Sequence, residues 1–188
     1  HYRMCIMENK RLQVARKSVA VINCLYEQES TTANEIAEAI DMPLSTAYAY
    51  LSTLEDLGFV EKSGDEYLLG LNLLRLGAKS RNTHKLYQHV QKYLPQIASE
   101  SGDCASFGVE RMGYRILIDI REGEKPEYGK AQEGERRPLH LTSLGKAILS
   151  EYDWDHVARL LERYDLEQHT TNSLTSTAEI HKEWKWTR

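Results

Sequence analysis

Between residues 31 and 58 the chain reads TTANEIAEAI, then DMP, then LSTAYAYLSTLEDLG, and no other run constrains the fold as tightly. In the first part Ala33, Ile36, Ala37 and Ile40 fall on one side of a helix, with Asn34, Glu35 and Glu38 outward. Thr31 or Thr32 supplies its N-cap. DMP breaks the pattern, and Pro43 suits the first turn of a new helix, where its missing N–H has no intrahelical acceptor to lose. In that second helix Leu44, Ala47, Tyr50, Leu51, Leu54 and Leu57 share a face. Gly58 ends it by taking the left-handed conformation that helix C-termini favour. Two amphipathic helices across so short a turn predict a helix-turn-helix packed on further elements.

The flanks supply those elements. Residues 11 to 27 put Val14, Ser18, Val21, Ile22 and Leu25 on one helical face, and Val19 and Tyr26 make the stripe wider than one partner helix needs. After Gly58, FVEK and EYLL are short β-prone runs on either side of SGD, a hairpin. Three helices and a hairpin make a winged helix-turn-helix domain over residues 11–70. LNLLRLGAKS has leucine on nearly every side, which suits a linker helix over 71–81.

Residues 82–188 form a second domain. THKLYQHVQKYLPQIASESG aligns Leu86, Val90, Tyr93, Leu94 and Ile97, with a kink at Pro95. From Cys104 the period becomes two: in YRILIDIR, Tyr114, Ile116, Ile118 and Ile120 share a face, while Arg115, Asp119 and Arg121 point outward. ASFGVE precedes it across RMG as the other arm of a hairpin. PLHLTSLGKAILS returns to helix, capped by Thr142 or Ser143, and DWDHVARLLERY is a helix capped by Asp153. Strands followed by helices predict an α+β domain with an antiparallel sheet.

Several function classes lose ground on composition. No apolar run in the 188 residues reaches the ~20 needed to cross a bilayer. HYRMCIMENK lacks the apolar stretch of a signal peptide, so no membrane association and a cytoplasmic location are expected. Cys5, Cys24 and Cys104 form no C-x-x-C pair and read as reduced thiols. The seven histidines show no ligand spacing; His84 and His89, for instance, are five apart and face different ways on a helix. His140 and Ala147 stand where a phosphate loop ending at Gly145-Lys146 needs Gly and Ser or Thr. No metal, cofactor or catalytic constellation is expected.

Charge argues against nucleic acid at first sight. Residues 1 to 80 hold 8 Lys+Arg against 11 Asp+Glu, hence −3, and residues 40 to 58 contain neither lysine nor arginine. The outward face of the second helix is nonetheless built for close approach. Ser45, Ala49 and Ser52 lie opposite the apolar stripe, with Tyr48 on one side and Thr46 and Thr53 on the other. Hydroxyls donate to base edges or phosphates, and a tyrosine ring packs on a thymine methyl. The same face would also serve a winged helix that contacts protein without DNA specificity.

The ordered set S-T-x-x-x-x-L-x-T-L-E-x-L-G-x-V, Y-x-L-G and P-L-H-x-T-x-x-G-K-A resembles the IclR family of transcriptional regulators over roughly residues 14 to 183. The resemblance implies a GAF-like effector-binding domain after the winged helix, and a regulator controlled by a small-molecule effector. It implies double-stranded operator DNA as partner, bound by a homodimer or a dimer of dimers. Where such proteins often carry arginine after the recognition-helix Tyr or His, this chain has Ala49. DNA contacts are then expected from Ser45, Thr46, Tyr48, Ala49 and Ser52, with phosphate grip from Arg11, Arg16 and Lys17 (beside Lys10) and from Lys62 on the wing. Carried over residue by residue, the effector pocket falls on Ser143, Leu144 and Gly129, and a small organic acid or aromatic compound is the implied ligand. Such a domain is expected to continue past Arg188.

Overall fold

The computed structural model describes residues 12–28, 30–125, 131–162, 166 and 173–187. The chain divides between Lys79 and Ser80 into two compact units.

In the first unit, α1 (Gln13–Tyr26) leads to a two-residue strand β1 (Thr31–Thr32), α2 (Ala33–Ala39) and α3 (Leu44–Asp56). The wing follows as β2 (Val60–Ser63) and β3 (Glu66–Leu69), and β3 lies between β1 and β2 in an antiparallel sheet. Thr32 caps α2: its amide donates to Glu35 Oε2 at 2.8 Å, and its hydroxyl oxygen accepts from the Glu35 amide at 3.4 Å. This reciprocal pairing satisfies two amides that a helix start otherwise leaves open.

One device ends both α2 and α3. At the end of α2, the Asp41 amide donates to the Glu38 carbonyl and the Met42 amide to the Ala37 carbonyl, with Asp41 left-handed at φ 49°. At the end of α3 the Gly58 and Phe59 amides donate to the Glu55 and Leu54 carbonyls, with Gly58 at φ 72°. Both are Schellman closures. The first bends the chain between the two helices and buries Met42 against Ala37 and Ala47. Pro43 then stands just before α3 as its cap, with its carbonyl accepting from the Thr46 and Ala47 amides. Val21 and Leu25 of α1, Ile36 of α2, Leu51 and Leu54 of α3, and Val60 and Tyr67 of the wing fill one core. Each large apolar side chain buried there contributes about 1.5–3 kcal/mol. α4 (Asn72–Thr83) follows and contains no buried residue.

The second unit opens with the last residues of α4, followed by α5 (Lys85–Val90) and α6 (Leu94–Ser101). They are two helices rather than one kinked helix, because Pro95 stands in the first turn of α6 and the chain breaks ahead of it. Their buried residues are Tyr87, Leu94 and Ala98, while Leu86, Tyr93 and Ile97 are exposed. The expected stripe is thus mostly on the outside. Strands β4 (Ala105–Arg111), β5 (Tyr114–Arg121) and β6 (Arg136–Pro138) form an antiparallel sheet in that order.

The faces of β5 are the reverse of expectation. Arg115, Leu117 and Asp119 are buried, and Tyr114, Ile116, Ile118 and Ile120 are only half-buried. The charges tolerate burial because each has a partner. Arg115 donates to Glu135 at 2.5 Å, and Asp119 accepts from the Tyr87 hydroxyl at 2.9 Å and from Arg121 at 3.0 Å.

A 3₁₀ turn over Leu139–Leu141 leads into α7 (Ser143–Ser150), α8 (Trp154–Leu161) and α9 (Thr177–Thr187). Thr142 caps α7 by accepting from the Gly145 amide at 3.0 Å, and Asp153 caps α8 by accepting from the His156 amide at 2.8 Å. A Cβ at Gly145 would lie 2.1 Å from the Leu139 carbonyl oxygen, so only glycine lets the turn pass this closely. Leu139, Leu149, Val157, Leu160 and Ile180 form the core of these helices.

Candidate nucleic-acid interface

On α3, Ala47, Leu51 and Leu54 are buried, which turns Ser45, Tyr48, Ala49 and Ser52 outward together, all exposed. Tyr48 leaves 49% of its surface open. Thr46 is half-buried at the edge of this face, and the Thr53 hydroxyl is spent on the Ala49 carbonyl at 2.8 Å. Asp56 is also exposed on the outward side, at the last residue of the helix.

The basic residues lie elsewhere. Arg16 and Lys17 are half-buried near the start of α1. Lys62, on β2, holds its ammonium 5.5 Å above the ring of buried Tyr67, a cation–π contact that anchors it to the wing. Exposed Glu61, Asp65 and Glu66 share that wing. Arg11 and Gly129 lie outside the described residues. From residue 18 to residue 61 the chain has eight acidic residues and no lysine or arginine. The face of α3 therefore offers shape, hydroxyls and methyl groups, and any Coulomb attraction to phosphate must come from outside that helix.

In the second unit Ser143 is exposed at the start of α7 and Leu144 is half-buried, close above Gly108 of β4. A Cβ on Gly108 would come within 2.9 Å of Leu144 Cδ2, so the glycine makes room for that side chain. A depression between α7 and α9, lined by Lys146, Leu149, Ile180 and Trp184 among others, encloses about 10 Å³, space for one water at most. A wider groove of about 370 Å³ runs beside Pro95, Ser99, Arg121 and Glu124. Neither depression includes Ser143 or Leu144 in its lining. Among the described residues no three His, Cys, Asp or Glu side chains converge as a metal site, and no helix is long and apolar enough to cross a membrane.

A winged helix-turn-helix followed by an α+β unit with an antiparallel sheet defines a two-part winged-helix protein. A model of the IclR helix-turn-helix domain matches residues 14–64, and one described as bacterial transcriptional regulator IclR C-terminal matches residues 78–188. The chain belongs to the IclR family of transcriptional regulators.

Among its relatives, the HTH-type transcriptional regulator KdgR of Dickeya chrysanthemi is 25% identical over 166 residues, covering 87% of this chain and 54% of KdgR. The transcriptional repressor IclR of Escherichia coli K12 is 24% identical over 183 residues, covering 95% of this chain and 67% of the repressor. This chain thus spans little more than half the length of KdgR. The crystal structure of an IclR regulator from Alicyclobacillus acidocaldarius has the same fold, with a TM-score of 0.77 at 26% identity over 95% of this chain and 73% of that one.

Proposed function

We propose that this protein is an effector-controlled transcriptional regulator that binds double-stranded operator DNA as a homodimer and is not an enzyme. The carrying observation is the second helix of the helix-turn-helix, whose outward face holds Ser45, Tyr48, Ala49 and Ser52 with nothing packed over it among the described residues. Its relatives are regulators, which supports a binding role over a catalytic one. In this reading α3 enters the major groove, Thr46 sits at the groove wall, and Arg11, Arg16 and Lys17 with Lys62 of the wing contact phosphates. Dimerisation uses the apolar residues that α1 leaves outside the core. Leu12, Val19 and Tyr26 recur at intervals of seven and are 81%, 50% and 56% exposed. Leu71 and Leu74, beside and within α4, add 71% and 68% exposed leucine surface.

The effector is a small organic acid or aromatic compound held by Ser143 and Leu144 at the N-terminus of α7 and by Gly129. In support, Thr142 occupies the Gly145 amide, which leaves the first amides of this helix and its positive dipole end for a carboxylate. Effector binding acts by preferring one spacing of the two recognition helices over another. The protein works in the cytoplasm.

The test is selection of bound sequences from random duplex DNA. An enriched pseudo-palindrome, bound with an affinity that falls as salt rises from ~50 to ~200 mM, supports the reading. The acid-only stretch from 18 to 61 favours one rival, a winged helix that contacts protein. Absence of any enriched duplex would decide for that rival.

A further inference from the structure

The outward face of α3 has an unusual inventory for a base-reading surface. Residues 40 to 58 contain no arginine, lysine, asparagine, glutamine or histidine. The side chains that recognise guanine or adenine through two hydrogen bonds at once are therefore absent from the whole segment. Apart from the carboxylates of Glu55 and Asp56 at the far end of the helix, two kinds of base contact remain: single hydrogen bonds from a hydroxyl, which tolerate several bases, and apolar contact with the C5-methyl of thymine. The geometry decides where each falls. Ala49 lies opposite the buried Ala47–Leu51–Leu54 stripe, with Ser45 one turn before it, Ser52 one turn after, and Tyr48 beside it. The Ala49 carbonyl is already taken by the Thr53 hydroxyl, so what this residue presents outward is its methyl group. The exposed carboxylate of Asp56 could accept from a cytosine amine, but it stands at the far end of the helix. In a helix-turn-helix the N-terminal half approaches the bases.

Resting on the DNA-binding reading above, we infer that sequence is read chiefly through thymine methyl groups. Ala49 is the specificity-determining residue, Tyr48 packs over the same or the neighbouring methyl, and Ser45 and Ser52 make base-tolerant hydrogen bonds. The preferred half-site then carries thymine at the step facing Ala49. With no cation on α3 itself, methyl burial supplies most of the discrimination between sequences.

The test begins with the duplex selected by the full 188-residue chain. Each thymine is replaced in turn by deoxyuridine, which keeps base pairing and removes only the methyl. Loss of one buried methyl is expected to weaken binding roughly fourfold, and loss of the equivalent methyl in both half-sites about fifteenfold. A C·G pair at that step should recover part of the affinity when its cytosine is 5-methylated. Ala49→Gly should weaken the thymine duplex by a larger factor than it weakens the deoxyuridine duplex.

Because glycine also loosens a helix, Ala49→Arg provides an independent variant with good helix propensity. Selection repeated with A49R should exchange thymine for guanine at the same step. Deoxyuridine substitution that stays within twofold at every position, or an A49R selection that still returns thymine there, overturns the inference while leaving DNA binding intact. A chain that enriches no duplex overturns the DNA-binding reading first, and the inference with it.

Discussion

Asp41 and Gly58 hold equivalent positions in two helix endings, yet only one of them is glycine. Both are left-handed, at φ 49° and 72°, and a side chain there costs about 1 kcal/mol, less for aspartate, whose short polar group bonds locally. Asp41→Gly should therefore stabilise the winged unit by about 0.5 kcal/mol, read as a shifted urea midpoint at constant slope. Midpoints that fall would mean that the Asp41 carboxylate has a role in the turn. Glu35 makes a second prediction at this scale. The Thr32 amide, then the Thr32 and Thr31 hydroxyls, hold its carboxyl below the usual carboxylate range. A depressed folded value contributes stability that is complete above the unfolded value and lost as pH falls through the folded one. Glu35→Gln should thus lower stability at pH 7 and flatten its decline on acidification, as measured by denaturant titration across that range. An unchanged acid profile in the variant would show that other carboxylates carry the effect.

Strand β5 shows what an element can conceal. Its buried side carries Arg115 and Asp119, and Glu135, from the approach to β6, sits between Arg115 at 2.5 Å and Arg137 at 2.6 Å. Burial pushes the Glu135 carboxyl up, but the bonds from Arg115 and Arg137 outweigh it and hold it below the ordinary range. Its contribution is therefore present at neutral pH and is lost only as the pH falls through the lowered value. Removing one partner strands the other inside the fold. Glu135→Met alone should cost about 2–3 kcal/mol, somewhat under the usual figure for a buried pair because Glu135 keeps 18% of its side chain exposed. Arg115→Met with Glu135→Met should recover much of that loss, since two apolar groups leave no charge unpaired. Equal losses in the single and double variants would show that packing around Arg115, rather than charge pairing, matters here.

For the whole molecule, α1 has two sides in different surroundings. Val21 is fully buried in the core of its own unit, whereas Val19 is 50% exposed. Val21→Asp should unfold the winged unit by burying an unpaired carboxylate. Val19→Asp should leave the unit folded and halve the mass seen by light scattering at micromolar concentration. A folded Val19→Asp protein that keeps its wild-type mass would place the association surface elsewhere, with the exposed leucines of α4 next to be tested.

The winged helix was legible in the residues because its punctuation is local. The cap at Thr32, the break at Asp41–Pro43 and the left-handed Gly58 depend on chemistry within a few positions of each residue. The outward set Ser45, Tyr48, Ala49 and Ser52 followed from periodicity for the same reason. The residues alone could not show that Lys62 lies over Tyr67, that Val19 and Tyr26 stay outside the core, or that α5 and α6 turn Leu86 and Ile97 outward. Nor could they say which side of β5 is covered. Alternation separates two faces of a strand but does not choose between them. Choosing the charged face required Glu135 and Tyr87, which lie 20 and 32 positions from the groups they satisfy. Only folding brings such partners together, and only with them in place can the charged side of the strand be buried without the large cost of an unpaired charge.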